Sequence, residues 1–210
     1  MKARNANALH CGAAACGTAA AYLLAGLAWS ALGRWLLPAG AAAWGWAWRL
    51  AGVLVQGAAA LLCARGWGME RGGLRLGKPG PGVGLPVLVF CMVAVTFTWF
   101  VPTAPAALPA GGAARALAFL ALGPAPALCE ELVFRGAVQG QLRAAAGPRA
   151  AVVMQAALFA ALHSGPAGMA YALCMGLVLG WAAERTGSVW PAAGMHLANN
   201  LVVFYQTICA

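Results

Sequence analysis

Uninterrupted apolar runs of about 20 residues, the length a helix needs to cross a bilayer, constrain this chain more than any other feature. Seven are read along its 210 residues: 11–33, 42–64, 84–103, 114–145, 149–163, 166–183 and 188–207. The fifth and sixth share an uncharged stretch from Ala150 to Ala183. That stretch is too long for one span, and Gly165-Pro166 divides it. Only 8% of the residues are charged and 63% are hydrophobic, whereas a soluble domain carries about 25% charged residues. A soluble fold would lack the polar surface to cover such a core. The expected fold is all-α, a polytopic transmembrane bundle of about seven spans.

Formal net charge is +9, but the Lys and Arg residues are scattered between apolar runs, with no basic helix interleaved with aromatics. They read as topology signals and contacts to anionic lipid heads, not as a nucleic-acid surface. Basic segments alternate with neutral ones. Lys2 and Arg4, the 65–78 loop, Arg143 with Arg149, and Arg185 fall on one side, while loops 104–113 and 164–166 carry no charge. The positive-inside rule puts the N-terminus in the cytoplasm, in a plasma membrane; Arg34 and Arg49 fit this less well. The first apolar run exceeds the length of a signal-peptide core and is read as a retained span. No two of the 7 cysteines form a CxxC pair, so neither disulfides nor a cysteine metal site is expected. Residues 1–110, about three spans with a basic loop at 65–82 that is a linker or a flap, carry no assignable motif. Residues 114–207 hold the chemistry.

That chemistry centres on Glu130 and Glu131, adjacent in a chain with 4 acidic residues. An ionisable residue inside a span costs several kcal/mol and implies a use. Gly147-Pro148 makes a turn, with Glu130 about 16 residues before it and His163 about 16 after, so an antiparallel hairpin brings both to one level roughly 20–24 Å from the turn. Pro124 and Pro126 divide the overlong fourth run into a lead-in and a helix starting near Pro126. His196 lies about 14 Å into the last span from the same side, and Asn200 shares its helical face at i+4.

Each residue alone has a bland reading. Arg135 makes an i,i+4 ion pair with Glu131, His163 is a satisfied core histidine, and His196 with Asn200 bonds neighbouring helices. Together they form a hydrolytic site. A carboxylate and an imidazole share a water and take its proton, while a second imidazole and an amide donate to a developing oxyanion. A zinc ion on Glu130, His163 and His196 with an open fourth position is the other arrangement. There is no HExxH and no GxSxG; Ser164 is a weak nucleophile candidate.

These residues resemble the CPBP intramembrane proteases, the Abi family, which includes the type II CAAX prenyl endopeptidases. The family pattern is EExxxR, FxxxH and HxxxN or HxxxD on successive helices. Glu130-Glu131-Leu-Val-Phe-Arg135, Phe159-Ala-Ala-Leu-His163 and His196-Leu-Ala-Asn-Asn200 match it in order. The resemblance implies that Glu130 with His163 activates the water and that His196 with Asn200 forms the oxyanion hole. Glu131 and Arg135 support the first motif, and Phe159 packs beside the site. Metal-dependent and glutamate-water mechanisms both stay open. The implied substrate is a peptide or protein reached from the membrane or cytoplasm. The Ala-, Gly- and Arg-rich composition fits a high-GC bacterium, in which the target need not be prenylated. Two other readings compete: a catalytically silent immunity or scaffold protein of this fold, and a proton-coupled transporter using the Glu pair as a relay. No inverted repeat supports the latter.

Overall fold

The computed structural model describes residues 2–37, 42–69, 71–80, Gly84 and 111–209, and among these there is no β-strand. The third expected span, 84–103, lies outside the described residues but for Gly84. Helix α1 runs Lys2–Leu36 and α2 runs Ala42–Gly66. A short 3-10 turn, Arg71–Leu74, follows. The second half consists of α3 Gly112–Leu122, α4 Pro124–Glu131, a π-helical segment Leu132–Val138, α5 Gln139–Ala146, α6 Pro148–Ala161, α7 Gly165–Thr186 and α8 Trp190–Cys209. Among the described residues, four apolar helices are long enough to cross a membrane: Ala6–Leu36, Trp44–Gly66, Gly112–Ala146 and Gly165–Thr186. The helical fold expected from the apolar runs is therefore observed.

The boundaries follow local chemistry. Prolines sit in the first turns of α4, α6 and α7, where the missing N–H would have no intrahelical partner. The turn before α6 is made by Gly147 at φ +85°, a conformation that side-chain-bearing residues avoid. Pro124 divides the fourth run two residues earlier than expected, and the result is a kink rather than a break. Gly123 N–H still bonds Phe119 O at 2.9 Å, and Ala127 N–H bonds Gly123 O at 3.3 Å. Gly112–Ala146 is thus one long, kinked rod.

Much of the core is alanine. Ala15, Ala19, Ala60, Ala151, Ala160 and Ala172 are buried around Phe134, Leu142 and Phe159. Small side chains let backbones approach closely, which drives helix association in lipid. The most intimate case is α6 against α7, where Gly176 and Gly180, one turn apart, face α6. A Cβ at Gly176 would lie 2.9 Å from both Cα and Cβ of Ala156. Gly176→Leu is expected to separate α6 from α7 and cost about 1–3 kcal/mol or more, read as a lower unfolding temperature in detergent. Large apolar side chains including Leu24, Leu27, Leu54, Leu62, Val153, Leu173 and Leu201 point outward, as a lipid-facing surface requires. Exposed Trp35 and Trp44 mark one end of the α1–α2 hairpin, and exposed Trp67 marks the other. Tryptophan concentrates at both membrane interfaces in this way.

The basic loop is not a free flap over its described length. Residues 75–80 lie against the turn between α7 and α8. Val189 N–H bonds Arg75 O at 3.1 Å, and Gly80 N–H bonds Thr186 O at 3.3 Å. Ser188 Oγ donates to Gly77 O at 2.7 Å, and Trp190 Nε1 donates to Leu76 O at 2.9 Å. Arg75 pairs with Glu184 at 2.9 Å, and Arg143 reaches the other Glu184 oxygen at 3.3 Å. The loop ties the first helical hairpin to the second half of the chain.

Candidate active site

Glu130 and Glu131 end α4 near the midpoint of the Gly112–Ala146 rod. They are therefore deep in the bundle, not at its edge. The helix then widens into the π segment. A π turn holds more residues than an α turn. Residues four apart therefore stay nearly on one face, and Glu131, Arg135 and Gln139 are all fully buried along it. Gly136 lies on this segment where the chain passes close by: a Cβ there would sit 3.3 Å from Leu74 O.

Arg135 Nη1 donates to Glu131 Oε1 at 2.8 Å, with both side chains fully buried. The guanidinium also lies 4.5 Å from the centre of the Phe159 ring, a cation–π contact that partly replaces lost hydration. From α8, His196 Nδ1 bonds the same Glu131 oxygen at 2.8 Å. Glu131 Oε1 also accepts from Arg135, so the carboxylate is the acceptor and His196 Nδ1 carries the hydrogen. The other ring nitrogen, Nε2, points toward Glu130, 3.9 Å from its Oε2. That is too long for a hydrogen bond, so both atoms remain open to a third group.

The remaining residues are brought near, with differences from expectation. His163 was expected on the fifth span. It lies just past the end of α6, in the turn before α7. Leu162 and His163 N–H groups bond carbonyls three residues back, and Gly165 follows at φ +72°. Pro166 disfavours helix in the residue before it, and the helix stops short. His163 is exposed at this turn. Its Nδ1 lies 2.9 Å from Phe159 O, and it makes no ion pair with Glu130 among the described residues. Phe159 connects the groups: its ring contacts His163 at 4.7 Å, Phe134 at 5.1 Å and His196 at 6.3 Å. Asn200 Nδ2 donates to Gly123 O at 3.4 Å, which leaves its second N–H. The neighbouring Asn199 is more buried and accepts a hydrogen bond from Tyr171 of α7. Among the described residues, no group of three or more His, Cys, Asp or Glu is placed to hold a metal ion. Glu130, His163 and His196 do not form the donor set that a zinc site needs.

Sequence reasoning missed Tyr22. Its hydroxyl, on α1, lies 3.4 Å from Glu130 Oε1, and its ring packs edge-on against Phe134 at 5.7 Å. A signal was available, since Tyr22 is the only tyrosine before residue 111 and sits in the middle of an apolar run.

Several long apolar helices, with Glu131, Arg135 and His196 buried among them and Glu130 half-buried beside them, define a multi-pass membrane protein with ionisable groups in its interior. Residues 111–202 match the model of the family described as type II CAAX prenyl endopeptidase Rce1-like, a family of membrane proteases. The resemblance to CPBP proteases drawn from the three motifs is borne out over that segment, which is less than half of the chain. No curated protein and no solved structure matches.

Proposed function

We propose that the protein is an intramembrane endopeptidase that hydrolyses a peptide bond with a glutamate-activated water. The observation that carries this reading is the placement of His196 between the two glutamates, on a segment matched to a CAAX-type protease family. Glu130, sharing a water with His163, takes its proton as the water oxygen attacks the scissile carbonyl carbon. The carbonyl oxygen becomes an oxyanion and accepts from Asn200 and from His196 Nε2. Because Nδ1–H is committed to Glu131, Nε2 can donate only when the ring is the imidazolium. Glu131 stabilises that cation and fixes its orientation, as a buried carboxylate does for the histidine of a catalytic triad. With Glu130 and Glu131 ionised and Arg135 and His196 positive, the formal charges of the site cancel, as a dry site demands. Glu130 then returns the proton to the leaving amine as the C–N bond breaks.

The N-terminus lies on the cytoplasmic side of a plasma membrane in this reading, because Arg65, Arg143, Arg149 and Arg185 cluster at one end of the bundle. Substrate enters from the membrane or the cytoplasm. The test is cleavage of quenched peptides by purified protein in lipid. One set carries a prenylated cysteine within a C-terminal C-a-a-X sequence and the other carries the same sequence unprenylated. Cleavage that survives a chelator supports the glutamate-water mechanism, and loss on chelation restores zinc. No cleavage by folded protein favours a silent binder.

A further inference from the structure

We infer that Tyr22 is a positioning residue for Glu130, so that the site is completed by a helix outside the family-matched segment. This rests on the reading of Glu130 as the base. Tyr22 lies near the middle of the apolar span Ala6–Leu36, as Glu130 lies near the middle of Gly112–Ala146. Tyr22 is 8% exposed, so its hydroxyl needs a partner. The partner it has is Glu130 Oε1, at 3.4 Å. The two carboxylate oxygens are thereby divided. Oε1 accepts from the tyrosine, while Oε2 faces His196 Nε2.

The division matters because a glutamate side chain is long and torsionally free. Glu131 is held by two hydrogen bonds at 2.8 Å. Glu130 has the tyrosine hydroxyl as its hydrogen-bond partner among the described residues. Releasing that oxygen lets the carboxylate rotate away from the water it must deprotonate. A misplacement of about 1 Å at a reacting group can cost about 10²-fold in rate. Thr18, one turn earlier on α1, is fully buried; its hydroxyl donates to Ala14 O at 2.8 Å and lies 3.3 Å from Gln141 Oε1. A second polar contact thus holds the face of α1 that presents Tyr22.

The experiment compares wild type, Tyr22→Phe, Glu130→Asp and the double variant in the same lipid, by peptide cleavage and thermal unfolding. Tyr22→Phe keeps the ring against Phe134, so the unfolding temperature is expected to hold. A tethered carboxylate predicts that kcat falls about tenfold while KM stays within about twofold. In Glu130→Asp the carboxylate is withdrawn by one methylene, beyond the hydroxyl's reach, so Tyr22→Phe is expected to add little further loss. An unchanged kcat, a fall confined to unfolding temperature, or a loss that multiplies in full on Glu130→Asp would overturn the assignment. Wild type that cleaves nothing, or Glu130→Gln that cleaves normally, would instead overturn the catalytic reading and this inference with it.

Discussion

Arg135→Met is expected to destabilise the folded protein by about 3–5 kcal/mol, a large share of the about 5–15 kcal/mol that typically separates native from unfolded states. The arginine is fully buried, and so is the Glu131 carboxylate it neutralises. Removing the cation leaves Glu131 with His196 alone. Arg135→Lys restores the charge, but its ammonium cannot lie flat on the Phe159 ring, so recovery should be partial. The double variant Arg135→Met with Glu131→Gln removes both charges and is expected to be more stable than Arg135→Met alone. The measurement is unfolding in detergent across this set, with the coupling taken from the cycle. Equal stability of Arg135→Met and wild type would mean that Glu131 is not ionised in the fold.

The same buried network shows how far the sequence could be read. The Glu131–Arg135 pair was legible because i,i+4 spacing places two side chains on one face of any helix. The level of the glutamates relative to the Gly147-Pro148 turn was legible from the α-helical rise per residue, even though Leu132–Val138 between them is π-helical. The π segment was not. The segment reads LVFRGAV, and the i,i+4 spacing of Glu131, Arg135 and Gln139 fits an ordinary α-helix as well as a widened one, so periodicity cannot report the change of pitch. The helix before His163 was drawn two residues too long, ending at Ala161 and not at 163. The Gly165-Pro166 pair was read as a break without extending its effect to the residues before it. Tyr22 and the docked 75–80 segment depend on contacts between positions about 110 residues apart, such as Arg75 with Glu184. Local spacing carries no information about those. The Gly176–Gly180 pair, by contrast, is a GxxxG pattern that could have predicted the close approach of α7.

Glu130→Gln is expected to abolish peptide cleavage, with kcat falling by at least about 10²–10⁴-fold, the usual contribution of a positioned base, while the fold survives. The two adjacent glutamates should therefore separate cleanly. Glu131 is fully buried and accepts from both Arg135 and His196, so Glu131→Gln strands a buried cation and lowers stability and rate together. Glu130 is partly exposed toward the site, with a 3.4 Å contact to Tyr22 and a 3.9 Å approach to His196. The amide in Glu130→Gln still accepts from the tyrosine and matches the glutamate in shape, but it cannot take a proton from water. The comparison needs kcat and unfolding temperature for both variants in the same lipid. If the assignments were reversed, Glu131→Gln would lose activity at unchanged stability, and Glu130→Gln would unfold. If both kept full activity, the bond would be cleaved by groups elsewhere. The motif glutamates would then be structural, holding His196 and Arg135 in a bundle that has no other described carboxylate at this depth.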